Sequence, residues 1–322
     1  MTTYKGIQGF NIQNLSADPS NFEEGQVWYN STSNAWKVGE LTTVGAWASG
    51  GDLNTARQQA GAAGIQTAGL MFGGNTGPAA TGATEEYNGS TWTSNPTGLN
   101  TVRRALAGAG TQTAGLAFGG LDTTNLASTE EYNGSTWTSS NNMLLARPGL
   151  GGCGIQTAAL AFGGQPATGA TEEYDGISWA TSPGSLNTAR NELTGCGTQT
   201  AGLAFGGNVP PVTGATEEYN GATWATNPGS MNTARRELGA AGIQTAALAF
   251  GGNLPGNSAA TEEYNGSTWT STTSMATARK QLAGLGTQSS ALGAGGETTV
   301  AVATTEEWTG AGSPTTKTIT VS

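Results

Sequence analysis

Short apolar runs and polar turns alternate along most of this chain, and the alternation itself repeats. Gly-Gly pairs begin at Gly73, Gly119, Gly163, Gly206, Gly251 and Gly295, each closing an apolar run such as GLAF or ALAF. A Thr-Glu-Glu-aromatic run follows each pair, with its aromatic at Tyr87, Tyr132, Tyr174, Tyr219, Tyr264 and Trp308. Tryptophans stand at Trp47, Trp92, Trp137, Trp179, Trp224 and Trp269, and arginines at Arg57, Arg103, Arg147, Arg190, Arg235 and Arg279. The period is 42 to 46 residues, and each series has six members. Apolar runs this short, bounded by Gly and Asn, predict strands. In the second repeat the first strand is expected near 105–110, followed by a tight turn at Thr111–Gln112. TAGLAF, ending at Gly119, makes the second strand and TEEY (129–132) the third. Asn133–Gly134 reads as a two-residue hairpin turn with both positions at positive φ, and the fourth strand starts at Trp137. Four antiparallel strands per repeat predict one blade of a β-propeller, because so small a sheet buries both faces only against copies of itself.

The phase of the repeat predicts how the ends meet. Trp47 has no Gly-Gly or Thr-Glu-Glu run before it, and the last repeat reaches Glu306–Glu307–Trp308 without a fourth-strand tryptophan after it. The expected fold is therefore an all-β, six-bladed propeller in which an N-terminal strand at Trp47 completes the last blade, leaving no open sheet edge. Three segments follow: an N-terminal attachment segment (1–40) with a hairpin in GQVWYNSTSNAWKV, the propeller (41–312), and a C-terminal strand or tail (313–322). The tail is expected to pair with the hairpin or the last blade, without a preference between them.

Composition narrows the chemistry. Acidic residues outnumber Lys and Arg by 22 to 12, which argues against a nucleic-acid partner. The chain holds no histidine, which removes histidine acid–base catalysis and histidine-ligated metals. Neither a signal sequence nor a membrane span of roughly 20 apolar residues is recognisable. No cofactor is expected. Cys153 and Cys196 share one repeat slot in adjacent blades and read as small buried fillers, a cross-blade disulfide being the alternative. Asn88, Asn133 and Asn265 head Asn-Gly-Ser sequences that match a glycosylation pattern, but a tight turn demands the same residues.

The glutamate pairs invite a catalytic reading. Adjacent strand residues point to opposite faces, however, so the two members of a pair do not flank one bond, and six copies suit architecture better than an active site. Blade-to-blade pairing of the arginines with these carboxylates is expected, and Glu86, Glu131, Glu173, Glu218, Glu263 and Glu307 are assigned with the arginines to the structural repeat. A hard-cation site is the alternative. The repeat tryptophans read as inter-blade packing.

The connections between second and third strands vary while the other turns do not, so the face that carries them is the place to expect a ligand. The candidate binding residues there are Asn75, Asp122, Gln165, Asn208, Asn253 and Glu297. Trp28, Tyr29 and Trp36, outside the repeat, are candidates for docking onto another protein.

The order apolar run, Gly-Gly, Tyr, Trp resembles the kelch repeat. The GQVWYNSTSNAWKV segment, followed by repeats reading NTARxxLAGAGTQTAGLAFGG…TEEYNGSTW, resembles over nearly its whole length the kelch-like virion proteins of tailed bacteriophages of marine bacteria. That resemblance implies a non-enzymatic structural protein on the exposed surface of the virion, tail-fibre-like or receptor-binding. Its partners would be other virion proteins, through the N-terminal segment, and a cell-surface glycan or protein, with self-association left open. A capsid or tail decoration protein is the near alternative. A kelch-type intracellular interaction scaffold is the alternative of another class.

Overall fold

The computed structural model describes residues 13–19, 24–41, 44–312 and 314–319. Parts of the expected N-terminal segment and tail (1–12, 20–23, 313 and 320–322) lie outside the described residues. The described residues form strands and no helix, and they divide into two units, one spanning Ala46–Thr309 and one formed by the flanking chain.

The smaller unit is a four-stranded sheet in the order Gln13–Leu15, Val27–Asn30, Ala35–Leu41, Pro314–Ile319. The C-terminal strand runs antiparallel to Ala35–Leu41, from Trp36 opposite Ile319 to Leu41 opposite Pro314. That places the tail strand with the hairpin.

The larger unit holds six four-stranded antiparallel sheets. The first spans 61–95, with strands Gly61–Ile65, Ala68–Phe72, Thr84–Tyr87 and Trp92–Asn95, and the next four repeat it over 107–140, 151–181, 194–227 and 239–272. The sixth takes Ala283–Gly286, Ser290–Ala294 and Thr305–Thr309, and its fourth strand is Ala46–Ser49, with Trp47 opposite Trp308. This is a propeller-like fold. The asparagine-glycine turns differ from expectation: only the glycine takes positive φ, and the asparagine stands before it. There Asn133 Oδ1 accepts from the backbone N–H of Ser135 and Thr136 at 3.0 and 2.9 Å, which holds the turn.

Packing explains the composition of each strand. Second strands such as Ala158–Phe162 are buried on both faces, because each sheet has neighbours on either side. First strands are Gly- and Ala-rich because they crowd together: a Cβ on Gly108 would lie 2.4 Å from the Ala62 carbonyl oxygen of the preceding sheet. Cys153 and Cys196, both free thiols, fill the same slot on neighbouring first strands, and burial pushes the Cys153 thiol up to about 12.

The arginine–glutamate pairs are arranged differently from the sequence expectation in two respects. The carboxylate is the first of each glutamate pair, and it lies in the sheet that follows its arginine in the chain, so each pair is internal to one repeat. The pairs are Arg57–Glu85, Arg103–Glu130, Arg147–Glu172, Arg190–Glu217, Arg235–Glu262 and Arg279–Glu306, at 2.8–3.4 Å and almost fully buried. Arg190 Nη1 approaches Glu217 at 2.9 Å but lies off hydrogen-bonding alignment. The residues before the arginine complete the cradle. Glu130 accepts from the Asn100 and Thr101 backbone N–H groups at 2.7 and 3.1 Å and from Asn100 Nδ2 at 2.9 Å. The recurrent Asn-Thr-x-Arg sequence is thus a carboxylate-binding loop, a charge-assisted arrangement of several donors on one anion.

The second glutamates join neighbouring sheets. Tyr87, Tyr132, Tyr174 and Tyr219 donate short hydrogen bonds to Glu307, Glu86, Glu131 and Glu173, and Tyr264 donates to Glu218 at 2.6 Å. Burial, then the carboxylate bond, raises the tyrosine hydroxyls, with Tyr174 at about 12. The repeat tryptophans also bridge sheets: Trp137 Nε1 donates to Thr84 Oγ1 at 2.9 Å, and its ring meets Phe72 at 4.8 Å between centroids. Such ring contacts add about 0.5–1.5 kcal/mol beyond the area they bury.

The same contacts link the sixth sheet to both neighbours. Trp92 of the first sheet donates to Thr305 of the sixth, and Trp47 of the sixth to Thr261 of the fifth, each at 3.0 Å. Gln66 Nε2 of the first sheet donates to the Ala291 and Trp308 carbonyls of the sixth, both at 2.9 Å. Volume is matched across this seam as well. The sixth sheet has Ala294 where the others have phenylalanine, and the first alone has a methionine, Met71, which clusters with Ala294 and Trp92.

Trp308 occupies the tyrosine slot of the sixth sheet, and its indole donates to the Gln288 carbonyl at 2.9 Å instead of to a neighbouring glutamate. Glu263 therefore has no tyrosine donor, and burial holds its carboxyl above the ordinary value of 4.5. A raised folded-state value favours the protonated fold, so Glu263's contribution to stability is present at acid pH and lost as pH rises through the raised value. Glu263→Gln is expected to raise the melting temperature at neutral pH by an amount that shrinks toward pH 4. Glu218→Gln, which removes the charged acceptor for Tyr264 and Asn227, is expected to lower it. Thermal melts across pH 4–8 check both.

Candidate functional site

The first strand of each sheet begins four residues after the buried arginine, and the three residues between meet those of the neighbouring sheets. Gln59, Ala105, Gly149, Glu192, Glu237 and Gln281 all take positive φ, between 50° and 61°. Five of the six are not glycine, a costly backbone state for such residues. Hydrogen bonds hold it. The N–H of Ala105 donates to the Gln59 carbonyl at 2.8 Å, and Gly149, Glu192, Glu237 and Gln281 each donate to the one before at 2.7–2.9 Å. Gln59 N–H donates to the Gln281 carbonyl at 2.9 Å, so the series has no free end.

These residues line a cavity of about 350 Å³. Leucines line it from the second to the sixth sheet: Leu106, Leu150, Leu193, Leu238 and Leu282. Among them stand the polar groups of Gln59, Arg104, Glu192, Glu237 and Gln281. Glu192 accepts from Arg236 Nη1 at 2.7 Å. Burial, then the nearby charge of Glu237, pushes the Glu192 carboxyl up, and Arg236 partly offsets this. Glu237 makes no ion pair among the described residues; it accepts from Gln281 Nε2 at 2.5 Å and from Asn253 Nδ2 at 3.5 Å. Gln281 Oε1 is buried without a hydrogen-bond partner. Arg104, also on the wall, makes no side-chain hydrogen bond or ion pair among the described residues.

A shallower cavity adjoins it over the third sheet, sharing Leu121, Pro148 and Gln165. The connection there, 165–170, is six residues against eight or nine in the other sheets, and the neighbouring loops bring Asn125 and Pro210 to its edges.

The binding residues expected from the sequence are placed unevenly. Gln165 lies on both cavities and is exposed, and Asn208 lines the shallower one. Asp122 is exposed on its loop, outside both. Asn75 is buried and bridged to Gln58, and Asn253 and Glu297 are half-buried and bridged to Arg236 and Lys280. They are roots of loops rather than free tips. In the smaller unit Trp28 is fully buried and donates to Asp18 at 2.9 Å, so it is not a docking residue. Tyr29 and Trp36 pack edge to face with centroids 5.4 Å apart, and Trp36 is exposed. The residues missed from the sequence are those just after each arginine. Their signal was chemical variety inside a conserved frame: QQ, RA, PG, NE, RE and KQ follow six equivalent arginines.

No protein-family model matches this chain, and no curated protein matches it either. Among solved structures it is similar to that of YjhT, at 13% identity and a TM-score of 0.66, over 79% of this chain and 95% of the other. The likeness is one of fold. At that identity it transfers the arrangement of sheets and nothing about chemistry.

Proposed function

We propose that the six sheets are blades of a closed propeller, completed by Ala46–Ser49, and that the protein is a non-enzymatic binding component of a tailed-phage virion. Closure is supported by the unbroken N–H to C=O series from Gln59 to Gln281 and by the Trp92–Thr305 and Gln66–Trp308 bonds. The observation that carries the binding reading is where variety sits. Buried positions repeat nearly unchanged in each blade, while the residues after each arginine and the loops beside them differ from blade to blade. A rigid frame with a varied rim suits recognition. The glutamate pairs offer little for catalysis, since arginine cradles hold the first members and tyrosines hold all but one of the second.

The virion role rests on the sequence resemblance. In that role the loop face points outward toward a cell-surface glycan or protein, and the sheet carrying Tyr29 and Trp36 faces another virion protein. Mass spectrometry of purified particles is expected to find the protein at structural abundance. Antibody against the loop face is expected to block adsorption; labelling of the capsid without any block would favour a decoration protein. Absence from particles and presence only in infected cells would overturn the virion role and leave the binding propeller.

A further inference from the structure

We infer that the cavity at the start of the first strands binds a small zwitterion, its ammonium on Glu237 and its anionic group on Arg104. The inference rests on the closed six-blade reading, in which the second and fifth sheets, bearing Arg104 and Glu237, stand across the cavity from each other.

Glu237 makes no ion pair among the described residues; its carboxylate accepts from Gln281 Nε2 at 2.5 Å and from Asn253 Nδ2 at 3.5 Å. It already repels Glu192, whose carboxyl is raised in part by that charge. A primary ammonium supplies three donors and one positive charge, which matches what Glu237 lacks. Glu192 is less available, because Arg236 occupies it.

The far wall completes the match. Arg104 is the lining cation, and it has no carboxylate among the described residues. A simple amine leaves it unanswered, and a simple carboxylate leaves Glu237 unanswered; a molecule bearing both groups satisfies each. About 350 Å³ suits a ligand of amino-acid to dipeptide size. The lining leucines, Leu106, Leu150, Leu193, Leu238 and Leu282, give the intervening carbons a surface to cover.

Calorimetric titration of the full chain with glycine, 4-aminobutyrate and 6-aminohexanoate tests this, with hexylamine and hexanoate as singly charged controls. At least one of the zwitterions is expected to bind about tenfold or more tighter than either control, the equivalent of one ionic contact. Glu237→Gln and Arg104→Gln are each expected to weaken that zwitterion by about tenfold or more, and Thr138→Ala, on an exposed fourth strand, to leave it unchanged. The proposal is overturned if no zwitterion binds, if hexylamine or hexanoate binds as well as the best of them, or if either cavity variant is silent. A crystal structure of the unliganded protein separates the failures. Arg104 and Glu237 on opposite walls of one cavity, with no binding, sinks the ligand and keeps the propeller; walls that do not face each other sink the six-blade reading itself.

Discussion

Replacing Arg235 with methionine is expected to lower the stability of the fold by about 3–5 kcal/mol, because it strands a carboxylate in the interior. Arg235 is fully buried, and Glu262 is 1% exposed. Nη2 donates to Glu262 Oε1 at 2.8 Å, and Nη1 donates to the Gly251 and Ala260 carbonyls at 2.8 and 2.5 Å. Methionine fills much of the space and offers none of these donors. Glu262 keeps the Asn232 and Thr233 backbone N–H groups at 2.6 and 3.3 Å, which do not neutralise it. Adding Glu262→Leu to the same chain is expected to recover part of the loss, since the stranded charge is gone. Urea unfolding of the parent and the two variants measures this. A loss below about 1 kcal/mol would place the arginine in a solvated site and reopen a ligand role for the series.

The second large effect is at Trp47. Its alanine variant is expected to lose about 2–4 kcal/mol, somewhat below the range for a core aromatic because Trp47 is half-buried. Trp47 stands apart from the rest of its sheet by more than 230 residues of sequence, yet it packs on Phe250 at 5.0 Å and Trp308 at 5.4 Å and donates to Thr261. Trp92 makes the matching bond to Thr305 from the first sheet and is buried, so its alanine variant is expected to lose at least as much. A Trp47 variant that melts like the parent, beside a destabilised Trp92 variant, would detach the N-terminal strand from the sixth sheet.

The repeat made much of the fold legible, because its period, turns and phase are local signals that recur. The strand around Trp47 was placed by phase alone. The partner of each arginine was harder. Glu85 and Glu86 are adjacent in sequence, and only burial distinguishes the one that meets Arg57 from the one that meets a neighbouring tyrosine. The fully buried Trp28 was misread for a related reason: outside a repeat, an aromatic beside a polar hairpin tip carries no sign of which face it takes. The residues of the cavity escaped because they sit in positive-φ positions usually filled by glycine, where Glu192 and Glu237 have no sequence signature. Their one visible mark was disagreement between blades, and that mark reads as drift until the cavity gives it a place.

Amide hydrogen exchange at Gln59 and at Gly50 tests closure most directly. Gln59 N–H donates to Gln281 at 2.9 Å and Gly50 N–H to Thr305 at 3.0 Å, two of the backbone bonds that tie the start of the larger unit to its last sheet. If the six sheets close as one cooperative body, both amides exchange only through global unfolding, as slowly as those of Ala105 and Glu192. Fast exchange at Gln59 and Gly50, with the others protected, would mean that the ring is open.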